Sequence, residues 1–142
     1  MTDKYDVLKL ENQLCFPLYA CAREVVKRYR PFLDEIDLTY TQYVTMMVMW
    51  EHRSINSKEM GELLHLDSGT LTPVLKALEK KGLVTRARGL DRRNLDVTLT
   101  EAGEALKERA VEVPAKVGGC LEIDMEDAVV LSGILNKMLK TF

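Results

Sequence analysis

A mainly α-helical chain with one small β-hairpin is what this sequence predicts, and three observations carry that reading. Apolar residues recur at three- and four-residue steps through most of the 142 positions, the spacing of helices that bury one face. Capping signals divide those stretches into separate helices: a Thr-rich start before Tyr43, Asn56 with Glu59, Leu66-Asp67-Ser68, Thr100 and Asp124. Two strand-like segments stand among them, a short LVTRAR at 83–88 and an alternating NLDVTLT at 94–100, joined by GLDRR as in a solvent-facing hairpin.

In chain order, Leu8, Cys15, Leu18, Tyr19, Ala22, Val25, Val26 and Tyr29 predict a long amphipathic helix that ends before Pro31. Pro17 cannot donate to the Gln13 carbonyl, so that helix either starts near Phe16 or bends there. LTYTQYVTMMVMWEH follows as an almost wholly apolar helix whose span from Tyr43 to Trp50 should lie deep in the core. Asn56 and Glu59 are spaced as a capping box for a short helix through Leu64. The next helix begins at Ser68, and Gly82 should stop it as a C′ glycine. After the hairpin, Thr100 caps EAGEALKERAVEVPAKV, which should break at Gly118-Gly119, and Asp124 starts a last helix, MEDAVVLSGILNKMLK. Helix, turn, helix and hairpin in succession form the winged helix-turn-helix arrangement.

Composition narrows the function classes. With 46% hydrophobic and 30% charged residues, four prolines and no low-complexity tract, the chain is a globular domain able to bury a core. The N-terminus MTDKYDVLKLENQ lacks the apolar stretch of a signal peptide, and no run reaches the roughly 18 apolar residues a membrane span needs. A cytoplasmic location with no membrane partner is the expectation. Three cysteines in a reducing compartment are then thiols, and an odd number argues against a disulfide framework within the chain.

The net charge of −2 does not announce a nucleic-acid partner, so the distribution of charge has to. From Lys80 to Arg93, six basic residues (Lys80, Lys81, Arg86, Arg88, Arg92, Arg93) meet one acidic residue, Asp91. Such a local excess suits a phosphate-binding edge. The preceding helix opens with Asp67, Ser68, Gly69, Thr70 and Thr72 and continues to Lys76. Its small hydroxyls and first-turn N–H groups suit phosphates and base edges. The plainer alternative is an ordinary core helix beside a solvated loop.

Taken together, LTYTQYVTMMVMWEH, MGELLHLDSGTLTPVLKALEKKGLVTR and DRRNLDVTLTEAG resemble the MarR-type winged-helix repressors. LENQLCFPLYACAR with LDSGTLTP is similar to their organic-hydroperoxide-sensing OhrR branch. The resemblance implies a homodimer on double-stranded operator DNA. Residues 1–34 would be an N-terminal dimerisation helix, 35–100 the winged helix-turn-helix DNA-binding domain and 101–142 the C-terminal dimerisation helices, in one continuous unit. It implies that Thr70, Thr72 and Lys76 face the major groove and that Arg92 and Arg93 enter the minor groove, with Asp91 orienting Arg93.

The cysteines divide by geometry and by resemblance. Cys15 and Cys21 differ on a helix by about 9 Å in rise and roughly 240° in direction, beyond the roughly 7 Å Cα separation a disulfide tolerates. Cys21 reads as a small packing residue. From the pattern alone Cys15 reads as a buried, inert thiol. The resemblance instead makes it the peroxide sensor, with its thiolate held by the hydroxyls of Tyr29 and Tyr40, and makes Cys120 the resolving thiol that bridges to Cys15 of the other subunit. Without the resemblance, Cys120 is a surface thiol in a loop. Tyr29 is fourteen residues beyond Cys15, about 21 Å along a continuous helix, so a contact between them must come from the partner, across antiparallel first helices. The inducing oxidant would be an organic hydroperoxide.

Rival functions make different demands. A MarR-type regulator released by a small aromatic ligand would use Cys15 only as pocket lining. A thiol peroxidase would leave the basic hairpin without a purpose. His52 and His65 lack metal-ligand spacing, Met46, Met47 and Met49 read with Trp50 as core, and neither a metal nor another cofactor is expected.

Overall fold

The computed structural model describes residues 3–89 and 95–142. Single 3-10 turns at Asp6–Leu8 and Leu10–Asn12 precede the main elements. These are α1 (Cys15–Asp34), α2 (Tyr40–His52), β1 (Ser54–Asn56), α3 (Ser57–Leu64), α4 (Ser68–Lys80), β2 (Val84–Arg88), β3 (Leu95–Leu99), α5 (Glu101–Ala110), α6 (Val113–Gly118) and α7 (Met125–Leu139). No helix among the described residues is long and apolar enough to cross a membrane.

The caps fall where the side chains can supply them. Thr39 and Gln42 form a reciprocal capping box at α2, and Asp67, Thr100 and Asp124 each accept from the amide three residues on. Asn56 caps α3 by accepting from the Lys58 amide. Gly82, at φ +76°, closes α4 with the Leu83 amide on the Leu78 carbonyl and its own on Glu79, the paired bonds of a Schellman stop.

Pro17 does not bend α1: with no N–H to offer Gln13, it sits in the first turn, where helical amides lack intrahelical partners anyway, and the helix starts at Cys15, beside Phe16, as one of the two expected outcomes has it. Four expectations are corrected. The helix runs through Pro31 to Asp34 rather than ending before the proline. Leu8 lies outside it, in a 3-10 turn. The single helix expected from Glu101 to Val117 is two, α5 and α6, because Pro114 cannot donate to Ala110 and the chain turns at Val111-Glu112. The hairpin gains a third strand, since β1 pairs with β3 in the order β1-β3-β2, with Ile55 opposite Val97 and Arg88 opposite Leu95, all antiparallel.

The core lies between the helix-turn-helix and the sheet. Met46, Met49, Met60 and Leu78 are wholly buried and meet Leu71, Leu75, Val84 and Val97. Met47, expected inside, is 41% exposed on the outer side of α2, and Trp50 is half-buried with its indole N–H donating to the Gly103 carbonyl at 2.9 Å. Val113 and Val117 of α6 join Leu33 of α1 in the same core. On α1 Leu33 is buried, and no residue of α7 is.

Candidate functional site

The exposed face of α4 follows from its buried one. Leu71, Leu75 and Leu78 point into the core, which leaves Ser68, Thr70, Thr72 and Lys76 exposed. The Thr72 hydroxyl donates to the Ser68 carbonyl at 2.7 Å. The free first-turn amides expected here are partly taken, because the Asp67 carboxylate accepts from the Thr70 amide at 2.7 Å. That bond, followed by those to the Thr70 hydroxyl and the Gly69 amide, holds the Asp67 carboxyl below its ordinary range. A phosphate approaching this helix end would meet a carboxylate, so the exposed hydroxyls and Lys76 are its better ligands.

The basic hairpin is divided between two tasks. Arg88 is exposed at the end of β2. Arg86 is drawn back: its guanidinium meets Glu79 of α4 at 3.1 Å, and its amide donates to the other Glu79 oxygen at 3.1 Å. The Arg86 hydrogen bond holds the Glu79 carboxyl below its usual range. Arg86 thus fastens β2 to α4. Lys81 is engaged likewise, donating to the Gln42 amide oxygen at 2.9 Å and to the Asp37 carbonyl. Asp91, Arg92 and Arg93 lie outside the described residues.

Cys15, Cys21 and Cys120 are all exposed free thiols in the single chain. Within the single chain neither the buried Cys15 suggested by pattern nor a packed Cys21 is found, because the apolar stripe of α1 is not covered by its own chain. Leu14 is 81% exposed, Tyr19 59% and Phe16 45%. Beside Cys15, a cleft of about 790 Å³ is lined by Leu10, Gln13, Phe16 and Pro17 with Lys9 and Glu11 at its edge. Cys120 lies just beyond α6, its amide still bonded to the Val117 carbonyl.

Tyr29 and Tyr40 are brought together, with ring centroids 4.9 Å apart, edge to face. Burial, then the neighbouring Tyr40, raises the Tyr29 phenol above its ordinary value. A third ring, Tyr43, lies 5.8 Å from Tyr29 and 6.4 Å from Tyr40. Sequence reasoning placed Tyr43 in the core and stopped there. Its spacing of three from Tyr40 on one helix face was the signal that the two share a surface. Both thiol and tyrosines belong to α1 and α2, yet one continuous helix holds Cys15 and Tyr29 roughly 21 Å apart.

Comparison with known proteins gives a consistent result. The family described as transcriptional regulator SarA/Rot matches residues 27–110, more than half the chain. The organic hydroperoxide resistance transcriptional regulator of Bacillus subtilis (strain 168) is 48% identical over 142 residues, covering 99% of this chain and 97% of that one. The solved structure of reduced AbfR bound to DNA is 34% identical, with a TM-score of 0.79 and 98% of each chain covered. Disulfide-formed AbfR, at 33% identity and covering 97% and 92%, superposes less closely, with a TM-score of 0.62; AbfR is a protein of Staphylococcus epidermidis.

Proposed function

The chain belongs to the MarR-type winged-helix transcriptional regulators, in their organic-hydroperoxide-sensing OhrR branch, and we propose that Cys15 and Cys120 of two paired copies form its switch. It is a redox-sensing DNA-binding repressor rather than an enzyme. The single observation that carries the residue-level reading is the separation along α1. A thiol at the helix start and a tyrosine pair near its end come together only when two copies pack antiparallel.

The rest of the exposed surface supports that pairing. Leu14, Met125 and Val129 are 81%, 78% and 65% exposed, an apolar extent that a single soluble chain rarely leaves uncovered. A twofold contact that sets Cys15 against the partner's Tyr29 sets residue 22 against itself, and residue 22 is alanine, small enough for two helices to approach. The stripe of Leu18, Tyr19, Val25 and Val26 then closes around it.

The chemistry follows from this arrangement. The Cys15 thiolate attacks the terminal peroxide oxygen, the O–O bond breaks, and the leaving alkoxide takes a proton to become an alcohol; the sulfur is left as a sulfenic acid. The partner's Cys120 thiol then displaces water from that sulfur to form the intersubunit disulfide. Tyr29 and Tyr40 supply O–H donors that favour the thiolate. The bridge pulls α6 toward the partner's α1 and moves the two winged domains off the spacing that adjacent major grooves demand. The better superposition on reduced, DNA-bound AbfR than on its disulfide form supports reading the present conformation as the DNA-binding one.

On DNA, Ser68, Thr70, Thr72 and Lys76 enter the major groove. Arg88, Arg92 and Arg93 meet the flanking backbone and minor groove, Asp91 orients Arg93, and Arg86 holds the wing in place. The test is operator binding by reduced protein with and without cumene hydroperoxide, followed by mass spectrometry of Cys15 and Cys120. Unchanged affinity after peroxide would overturn the reading.

A further inference from the structure

We propose that Tyr43 is a positioning residue of the sensing site, its buried hydroxyl donating to the phenol oxygen of Tyr29 or of Tyr40 when those phenols donate to the thiolate. This rests on the assignment of Tyr29 and Tyr40 to Cys15 of the partner. The observation behind it is a mismatch between burial and bonding. Tyr43 is 1% exposed, and its hydroxyl meets no hydrogen-bond partner among the described residues. Packing alone asks only for the ring, and phenylalanine would fill the same space without burying an unsatisfied O–H.

The neighbours of the Tyr43 ring are the two tyrosines already assigned to the thiol. The three rings form one cluster, with centroids 4.9, 5.8 and 6.4 Å apart. A phenol has one donor and two lone pairs, so a Tyr29 or Tyr40 whose O–H is committed to sulfur still has oxygen lone pairs to offer. A hydrogen bond accepted there polarises the phenol and strengthens its own donation, as in any chain of hydrogen bonds in a low-dielectric setting. Burial, then the charges that Tyr29 and Tyr40 would carry, push the Tyr43 phenol up to about 12. It therefore keeps its proton wherever the sensor works and stays a donor. The site in a single chain is incomplete: the acceptor that would draw Tyr29 and Tyr40 into line is the partner's sulfur.

The experiment measures the rate of Cys15 sulfenic acid formation by cumene hydroperoxide against pH, in reduced full-length protein. Wild type is compared with Tyr43→Phe, Tyr29→Phe and Tyr40→Phe, and the thermal midpoint of each is recorded. Tyr43→Phe is expected to move the rate profile about one pH unit upward, which is a roughly tenfold slower reaction below the thiol pKa. The plateau at high pH and the thermal midpoint should be retained. If its profile superimposes on wild type while Tyr29→Phe and Tyr40→Phe are slowed, the role of Tyr43 is overturned and the sensing site stands. If none of the three is slowed, the sensing site itself falls. A Tyr43→Phe protein that loses thermal stability and plateau rate together would make the hydroxyl structural and also overturn the proposal.

Discussion

Mixing two defective copies tests whether tyrosine and thiol meet across the dimer. One protomer carries Cys15→Ser and its partner carries Tyr29→Phe. Because α1 is unbroken from Cys15 to Asp34, Tyr29 stands about 21 Å along the axis from the sulfur of its own chain, at about 1.5 Å per residue. In the mixed dimer the remaining Cys15 belongs to the Tyr29→Phe copy but faces the intact Tyr29 of the other. Losing a hydrogen bond to a charged group costs about 1.5–3 kcal/mol, so the Tyr29→Phe homodimer should react roughly ten- to a hundredfold more slowly. The mixed dimer should regain the wild-type rate. Isolation through two different affinity tags and stopped-flow measurement of thiol loss with cumene hydroperoxide gives the comparison. A mixed dimer as slow as the Tyr29→Phe homodimer would refute the geometry and return the contact to a single chain.

Three further outcomes follow from other parts of the molecule. Cys120→Ser should abolish the crosslinked dimer on non-reducing gels while Cys15 still becomes a sulfenic acid; a persisting crosslink would implicate Cys21. Gly103→Ala should lower the thermal midpoint, since a Cβ there would collide with the Leu83 carbonyl oxygen and lie 2.6 Å from Leu99 Cδ1. The cost of such overpacking is about 1–3 kcal/mol, with about 2–4 °C lost per kcal/mol for a chain near this size. The third concerns alkaline stability. The neutral Tyr43 phenol stabilises the fold fully below its unfolded value of 10.0, and that contribution is lost as the pH rises to about 12. Tyr43→Phe should therefore resist unfolding in that window better than wild type, followed by circular dichroism.

How much of this was legible in the sequence depends on whether the signal was local. The caps at Asp67, Thr100 and Asp124 and the stop at Gly82 are fixed by neighbours within four residues, and each was found. β1 was not, because Ser54-Ile55-Asn56 has too few residues to alternate and becomes a strand only by lying against the free edge of β3. Pro31 and Pro114 were weighed in the wrong order. The first removes one hydrogen bond late in a helix that Leu33 still anchors, whereas the second falls where the chain turns and separates α5 from α6. Cys15 could be placed on an apolar stripe, but not whether that stripe was covered by its own chain. Its role came from resemblance, and Tyr43 passed as core because ring burial and hydroxyl bonding are set by contacts between α1 and α2.

The route from disulfide to DNA can be tested by adding slack. Cys120 is tied to the last turn of α6 through the hydrogen bond its N–H donates to the Val117 carbonyl, and α6 is seated by Val113 and Val117, each 2% exposed. Lys116 with Glu35 at 3.4 Å and Arg109 on the Glu35 carbonyl add links to the end of α1, although exposed ion pairs of this kind contribute little. Stripping the two valines from the core would cost about 1.5–3 kcal/mol each. A pull on Cys120 should therefore move α6 together with the core beneath it rather than peel it away. Inserting Gly-Ser-Gly-Ser between Gly119 and Cys120 supplies up to about 13 Å of slack. The bridge to the partner's Cys15 should still form, as seen on non-reducing gels, while operator affinity stays near that of the reduced protein. Release of DNA on crosslinking of the lengthened protein would show that the signal does not travel through α6.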